Sequence, residues 1–155
     1  MSEAFQLILN SQGANCLDVG AVNKSSLRYS VNWGAFLPKK YKKYHCQFVF
    51  KSNNYVGVLQ QNGFVNINLG HVNCFDGSAM SSNLGMIYPV VLTAVLSYYS
   101  STNNDNNDFW ISYPSNQIIT VNLLQFDNVT ALANVPNYTI FMNFKGVHDD
   151  EILGD

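Results

Sequence analysis

A chain of 155 residues with 47% hydrophobic content has room for one domain with a full core. Only 12% is charged, about half the usual share, so its polar surface falls to uncharged side chains, among them 21 asparagines. The formal net charge of −2 excludes a global pull toward nucleic acid or anionic lipid.

In chain order the dominant signal is period two, the spacing of a half-buried strand. FQLIL (5–9) reads as a short strand. LRYSVNW (27–33) puts Leu27, Tyr29, Val31 and Trp33 on one face. The stretch GAFLPKKYKKY (34–44) predicts at most one helical turn, which Pro38 can start because its missing N–H is an orphan there anyway. YHCQFVFK (44–51) places Tyr44, Cys46, Phe48 and Phe50 on one face and His45 on the other. YVGVLQ (55–60) is a weaker strand, and FVNINLG (64–70) alternates Val65, Ile67 and Leu69 against Asn66 and Asn68. VVLTAVLSYY (90–99) is apolar on both faces and reads as a central strand. SSTNNDNND (100–108) has nothing apolar to bury and predicts an exposed loop. FWISY (109–113), IITVNLL (118–124) and YTIFMNF (138–144) complete the strands, with a second helical turn expected at VTALANV (129–135). Eight or nine short strands parted by turn residues predict an all-β fold. The expected form is a single jelly-roll β-sandwich of about eight antiparallel strands over residues 1–147, with an acidic tail at 148–155.

Charge is unevenly placed. Asp149, Asp150, Glu151 and Asp155 are four of the ten acids; without them eight cations face six acids. Lys39, Lys40, Lys42 and Lys43 crowd around Tyr41 and Tyr44. Lysines among tyrosines can neutralise phosphates and stack bases. One cluster in a net acidic chain lacks the wide basic face of a nucleic-acid binder, however, so the stretch reads as a partner-facing corner. The first residues, MSEAFQLILN, carry no basic stretch and read as no signal peptide. Residues 84–99, broken by Pro89 and Thr93, are too short for a membrane span. Three cysteines, an odd count, suggest reduced thiols.

Chemistry finds little support. His71 and Cys74 in GHVNCFDGS have the spacing of two zinc ligands or of a nucleophile and base. A second pair is missing, since His45 and Cys46 point to opposite faces of a strand. Asp76 and Asp127 sit in turn contexts where an aspartate bonds its own backbone. The sequons at Asn23, Asn128 and Asn137 read as accidents of an asparagine-rich composition. Neither a catalytic centre, a metal nor a cofactor is expected.

Several segments in order resemble the single jelly-roll capsid proteins of large eukaryotic double-stranded DNA viruses, virophages and related mobile elements. They are LILNSQGAN, SSLRYSVNWGAFLPKKYKKYHCQFVFKS, VNINLG with NCFDGSAMSSNLGMIYPV, NQIITVNLLQFDN and YTIFMNF, together spanning roughly residues 5–145. The resemblance implies a penton or minor capsid subunit that forms a homo-oligomer, a pentamer in the penton case. Such a subunit docks on a major capsid protein in a virion made in host cytoplasm. It implies no reaction. On that reading Lys39, Lys40, Lys42 and Lys43 form one contact region, with Asp149, Asp150 and Glu151 of a neighbouring subunit as their complement. The rival reading is a lectin-like module for a glycan or receptor, with Trp110, Tyr113, Tyr98 and Tyr99 as an aromatic platform.

Overall fold

The structure is a computed structural model and describes residues 4–53, 62–69, 71–72, 75–91, 97–101 and 108–148. In chain order its strands are β1 (Ala4–Asn10), β2 (Ser26–Ser30), β3 (Lys43–Ser52), β4 (Gly63–Ile67), β5 (His71–Val72), β6 (Phe75–Asp76), β7 (Ala79–Met80), β8 (Asn83–Val91), β9 (Ser97–Ser100), β10 (Asp108–Ser112), β11 (Ile118–Gln125) and β12 (Tyr138–Val147). A single turn of 3₁₀-helix, Trp33–Ala35, lies between β2 and β3.

Pairing is antiparallel and nested. β1 pairs with β12, β2 with β11, β3 with β9 and β10, and β4 with β8. The chain is thus a long hairpin rolled on itself, and the roll lays the strands out as two sheets. One runs β1-β12-β3-β9, with β10 also on β3; the other runs β2-β11-β4-β8. β8 pairs with β9 as well, from Tyr88↔Ser100 to Val91↔Ser97, and joins the sheets along one side. This is the jelly-roll order expected from the sequence, with eight principal strands.

The core sits between the sheets and is filled by the alternation read from the sequence. Tyr44, Cys46, Phe48 and Phe50 of β3 are fully buried, as are Ile140, Met142 and Phe144 of β12 and Ile119, Val121 and Leu123 of β11. Each such side chain contributes roughly 1.5–3 kcal/mol of burial. One contact ties the two sheets together, and a second ties neighbouring strands of one sheet. The Tyr29 hydroxyl of β2 donates to the Tyr138 hydroxyl of β12 at 3.3 Å, and Phe50 stacks on Tyr138 with ring centroids 5.1 Å apart. Burial pushes both tyrosine hydroxyls well above their ordinary titration range, so they stay neutral and bonded.

Three local expectations are corrected. The helical turn of the β2–β3 connection is Trp33–Ala35 and precedes Pro38, because Asn32 leaves the strand at φ −90°, ψ 86° and swings Trp33 into the core. Residues 129–135 form no helix. Asp127 ties down the backbone N–H groups of Val129 and Thr130 at 2.9 Å each. Asn128 and Asn134 then take left-handed φ values of 60° and 56°, which break a right-handed turn. The segment 90–99 is not one central strand. It holds the end of β8 and the start of β9, which pair antiparallel up to Val91↔Ser97; residues 92–96 lie outside the described residues. Residues 54–61, and with them the weaker strand expected at 55–60, also lie outside the described residues.

Candidate functional site

The two ends of the sandwich differ in chemistry. At one end lie the β2–β3 connection (31–42), the β10–β11 connection (113–117) and the end of β12. At the other lie the β1–β2 connection (11–25) and the β11–β12 connection (126–137).

The first end carries the lysines. Lys39, Lys40 and Lys42 are exposed; Lys43 opens β3, half-buried, opposite Val147 and Ser112. The structure therefore brings the four together on one corner. The corner is built on buried rings. Tyr41 is 1% exposed, with its ring 5.9 Å from Tyr44 and 5.0 Å from the His148 imidazole. Lys40 Nζ stands 5.1 Å over the Tyr41 ring, within reach of a cation–π contact. Gly146 of β12 lies directly beneath Tyr41; a Cβ there would run into the ring carbons. The Tyr44 hydroxyl donates to the Pro38 carbonyl and the Tyr113 hydroxyl to the Leu37 carbonyl at 3.0 Å, so a tyrosine of β3 and one just past β10 anchor the segment that carries the lysines. Asp149, Asp150 and Glu151 lie outside the described residues. His148, the residue before them, packs at a tilt against Tyr41 at this corner.

Beside the lysines runs a groove. A hollow of about 600 Å³ is floored by Trp33, Tyr113 and Pro114 and edged by Asn32, Lys39, Ser115 and Gln117. A second hollow of about 270 Å³ shares Pro114 and Ser115 with it and continues to Asn68 and Ser82. The Trp33 indole N–H donates to the Asn116 carbonyl at 2.7 Å, which fixes the ring. Among the described residues the side chains of Asn32, Lys39, Ser115 and Gln117 make no hydrogen bond to the protein. Sequence reasoning missed this groove. Its parts lie about 80 positions apart, and each is an ordinary surface residue alone.

The opposite end is apolar at its tips and stitched beneath. Val22, Val129 and Phe126 are 96%, 79% and 59% exposed, and Leu17 and Val19 are exposed beside them in the chain. Below them Asn23 reaches across: its Nδ2 donates to the Leu132 carbonyl at 3.0 Å, and its Oδ1 accepts from the N–H groups of Ser25 and Val135. The Asn137 Oδ1 accepts from the Ser11 hydroxyl, and the Asn128 Oδ1 from the amides of Asn66 and Asn83. All three sequon asparagines thus use their side-chain amides inside the fold.

Of the expected aromatic platform, Trp110 and Tyr113 do not share one surface. Trp110 lies on the outer face of its sheet, 4.9 Å from His45, whose Nε2 is 3.4 Å from an Asp108 oxygen. Tyr113 packs inward toward Tyr44. The side chains of Tyr98 and Tyr99 lie outside those described. So do the side chain of His71 and all of Cys74, so the spacing of those two has no counterpart among the described groups. Cys46 is buried, and burial pushes its thiol far up, away from nucleophilic thiolate. Among the described residues no cluster of three His, Cys, Asp or Glu could hold a metal ion, and no helix is long and apolar enough to cross a membrane.

Fold and surface together define the class: an all-β, jelly-roll sandwich with a lysine-edged groove at one end and an apolar rim at the other. The chain matches no protein-family model and no curated protein sequence.

Proposed function

We propose that the chain is a structural subunit of a virus capsid, of the penton or minor capsid kind, which self-assembles and docks on a major capsid protein without catalysing a reaction. The observation that carries this reading is the nested jelly-roll order from β1 to β12, found in a chain whose segments over roughly residues 5–145 resemble such capsid proteins. A fold hosts many functions, and the surface adds its own support. Low charge leaves little repulsion between copies. The exposed valines and phenylalanine at one end are the kind of patch that protein contacts cover. The lysine corner, held by Tyr41, Tyr44 and Tyr113, is a rigid polar contact at the other. Cys16 and Cys46 are free and buried, in keeping with assembly in the reducing host cytoplasm.

In a ring of identical subunits each copy presents two different surfaces, one to each neighbour. A molecule with unlike ends and faces meets that requirement. Native mass spectrometry and sedimentation of the purified protein test the reading. A discrete pentamer is the result expected for a penton, and a trimer for another minor capsid role. A strict monomer at tens of micromolar that also fails to bind purified major capsid protein overturns it.

A further inference from the structure

We infer that the groove beside Lys39 is a binding site for a sugar unit bearing one carboxylate, an activity beyond the capsid-subunit reading. Size comes first: hollows of about 600 and 270 Å³ that share Pro114 and Ser115 fit one sugar unit, with room for part of a second.

Lining chemistry narrows the class. The polar ends of the two floor rings are already engaged, the Trp33 indole with Asn116 and the Tyr113 hydroxyl with Leu37. What these rings and Pro114 offer a ligand is carbon surface, against which the C–H face of a pyranose packs. Trp33 is 3% exposed and Pro114 is buried, so each contributes only an edge and half-buried Tyr113 supplies most of that surface. The rim is the reverse. Two amides (Asn32 and Gln117), one hydroxyl (Ser115) and one ammonium (Lys39) converge there with no hydrogen bond to other described residues. Neutral amides and a hydroxyl donate and accept at once, which suits a ligand of many hydroxyls. Among the described residues no acid lines either hollow and Lys39 is the one charged side chain there, which selects a ligand with a single carboxylate.

Gly34 gives a clean way to close the site. A Cβ there meets only the Asn32 Oδ1, at 3.8 Å, and its φ lies outside the left-handed region, so a larger residue enters the hollow without backbone strain.

The test is a titration of the full ¹⁵N-labelled chain with the methyl glycosides of glucuronic acid, N-acetylneuraminic acid and glucose. The expected result is saturable shifts of the Trp33 indole and of the Ser115 and Gln117 amides, with an acidic sugar bound more tightly than glucose. Lys39→Gln weakens the acidic sugar about tenfold and leaves glucose unchanged. Gly34→Tyr abolishes both responses at an unchanged thermal midpoint. The inference is overturned if no groove amide shifts at tens of millimolar sugar, or if Gly34→Tyr binds as before. It is also overturned if an Asp-Asp-Glu peptide gives the same shifts as the sugar, since the groove would then be an acidic-peptide site. The subunit reading is judged on oligomeric mass, so either proposal can fail alone.

Discussion

At the scale of single residues, two contacts control the ends of the sandwich. Gly146 is the point where β12 passes under the Tyr41 ring, and nothing bulkier than hydrogen fits. Gly146→Ala should therefore lift Tyr41 off β12, disturb the adjoining His148 and lower stability by about 1–3 kcal/mol, the usual cost of overpacking. Chemical denaturation read by tyrosine fluorescence measures it, and an unchanged midpoint would contradict the packing described. At the other end Asp127 accepts from the Thr130 hydroxyl at 2.6 Å and from the N–H groups of Thr130 and Val129. The Thr130 hydroxyl foremost, and then those N–H groups, hold its carboxyl below the ordinary value of 3.8. The folded pKa is depressed, so the stability this carboxylate adds is complete above 3.8 and disappears as pH falls through the lower folded value. Asp127→Asn should lower stability at pH 6, where the carboxylate's contribution is complete, and its curve should converge with the original below pH 4 as Asp127 is protonated. Thermal melts across that range decide the matter.

Among elements, the connections do as much as the strands. The 11–25 and 126–137 connections are stitched to each other by Asn23, whose amide makes two bonds across them and a third to Ser25 in its own connection, and by the Lys24 N–H on the Val135 carbonyl. Asn23→Ala should cost about 2–3 kcal/mol, because the part-buried Val135 N–H and Leu132 carbonyl lose their partner. Hydrogen exchange should show the loss at Ser25 and Val135 first; a uniform loss across the sandwich would speak against a local stitch. The strands themselves were largely legible in the sequence. β3, β11 and β12 alternate because one face meets the core and the other meets water. The 90–99 segment was misread because a continuous apolar run looks the same whether it crosses a core or turns back. Residues 129–135 were misread because two asparagines in left-handed conformation leave no trace in a hydrophobic pattern. The lysine corner was visible as charge, but its rigidity comes from Gly146, Tyr113 and His148, and the groove from chain segments far apart in sequence.

At the scale of the whole molecule, the lysine corner is where assembly can be tested by charge. Replacing Lys39 and Lys43 with glutamate should weaken any oligomer and raise its sensitivity to salt, because like charges at a contact lower association. Sedimentation profiles at low and moderate salt report this, and identical profiles for the altered and original chains would remove the corner from the interface. Nested pairing has a consequence in time. Ala4 lies opposite Lys145 and Asn10 opposite Thr139, so β1 leaves the ribosome long before β12, its neighbour among the described strands, is made. β3 waits likewise, since its partners β9, β10 and β12 all follow it. Closure is therefore set by the slow meeting of distant segments. Until translation reaches β12, the nascent chain carries bare strand edges that other chains can capture.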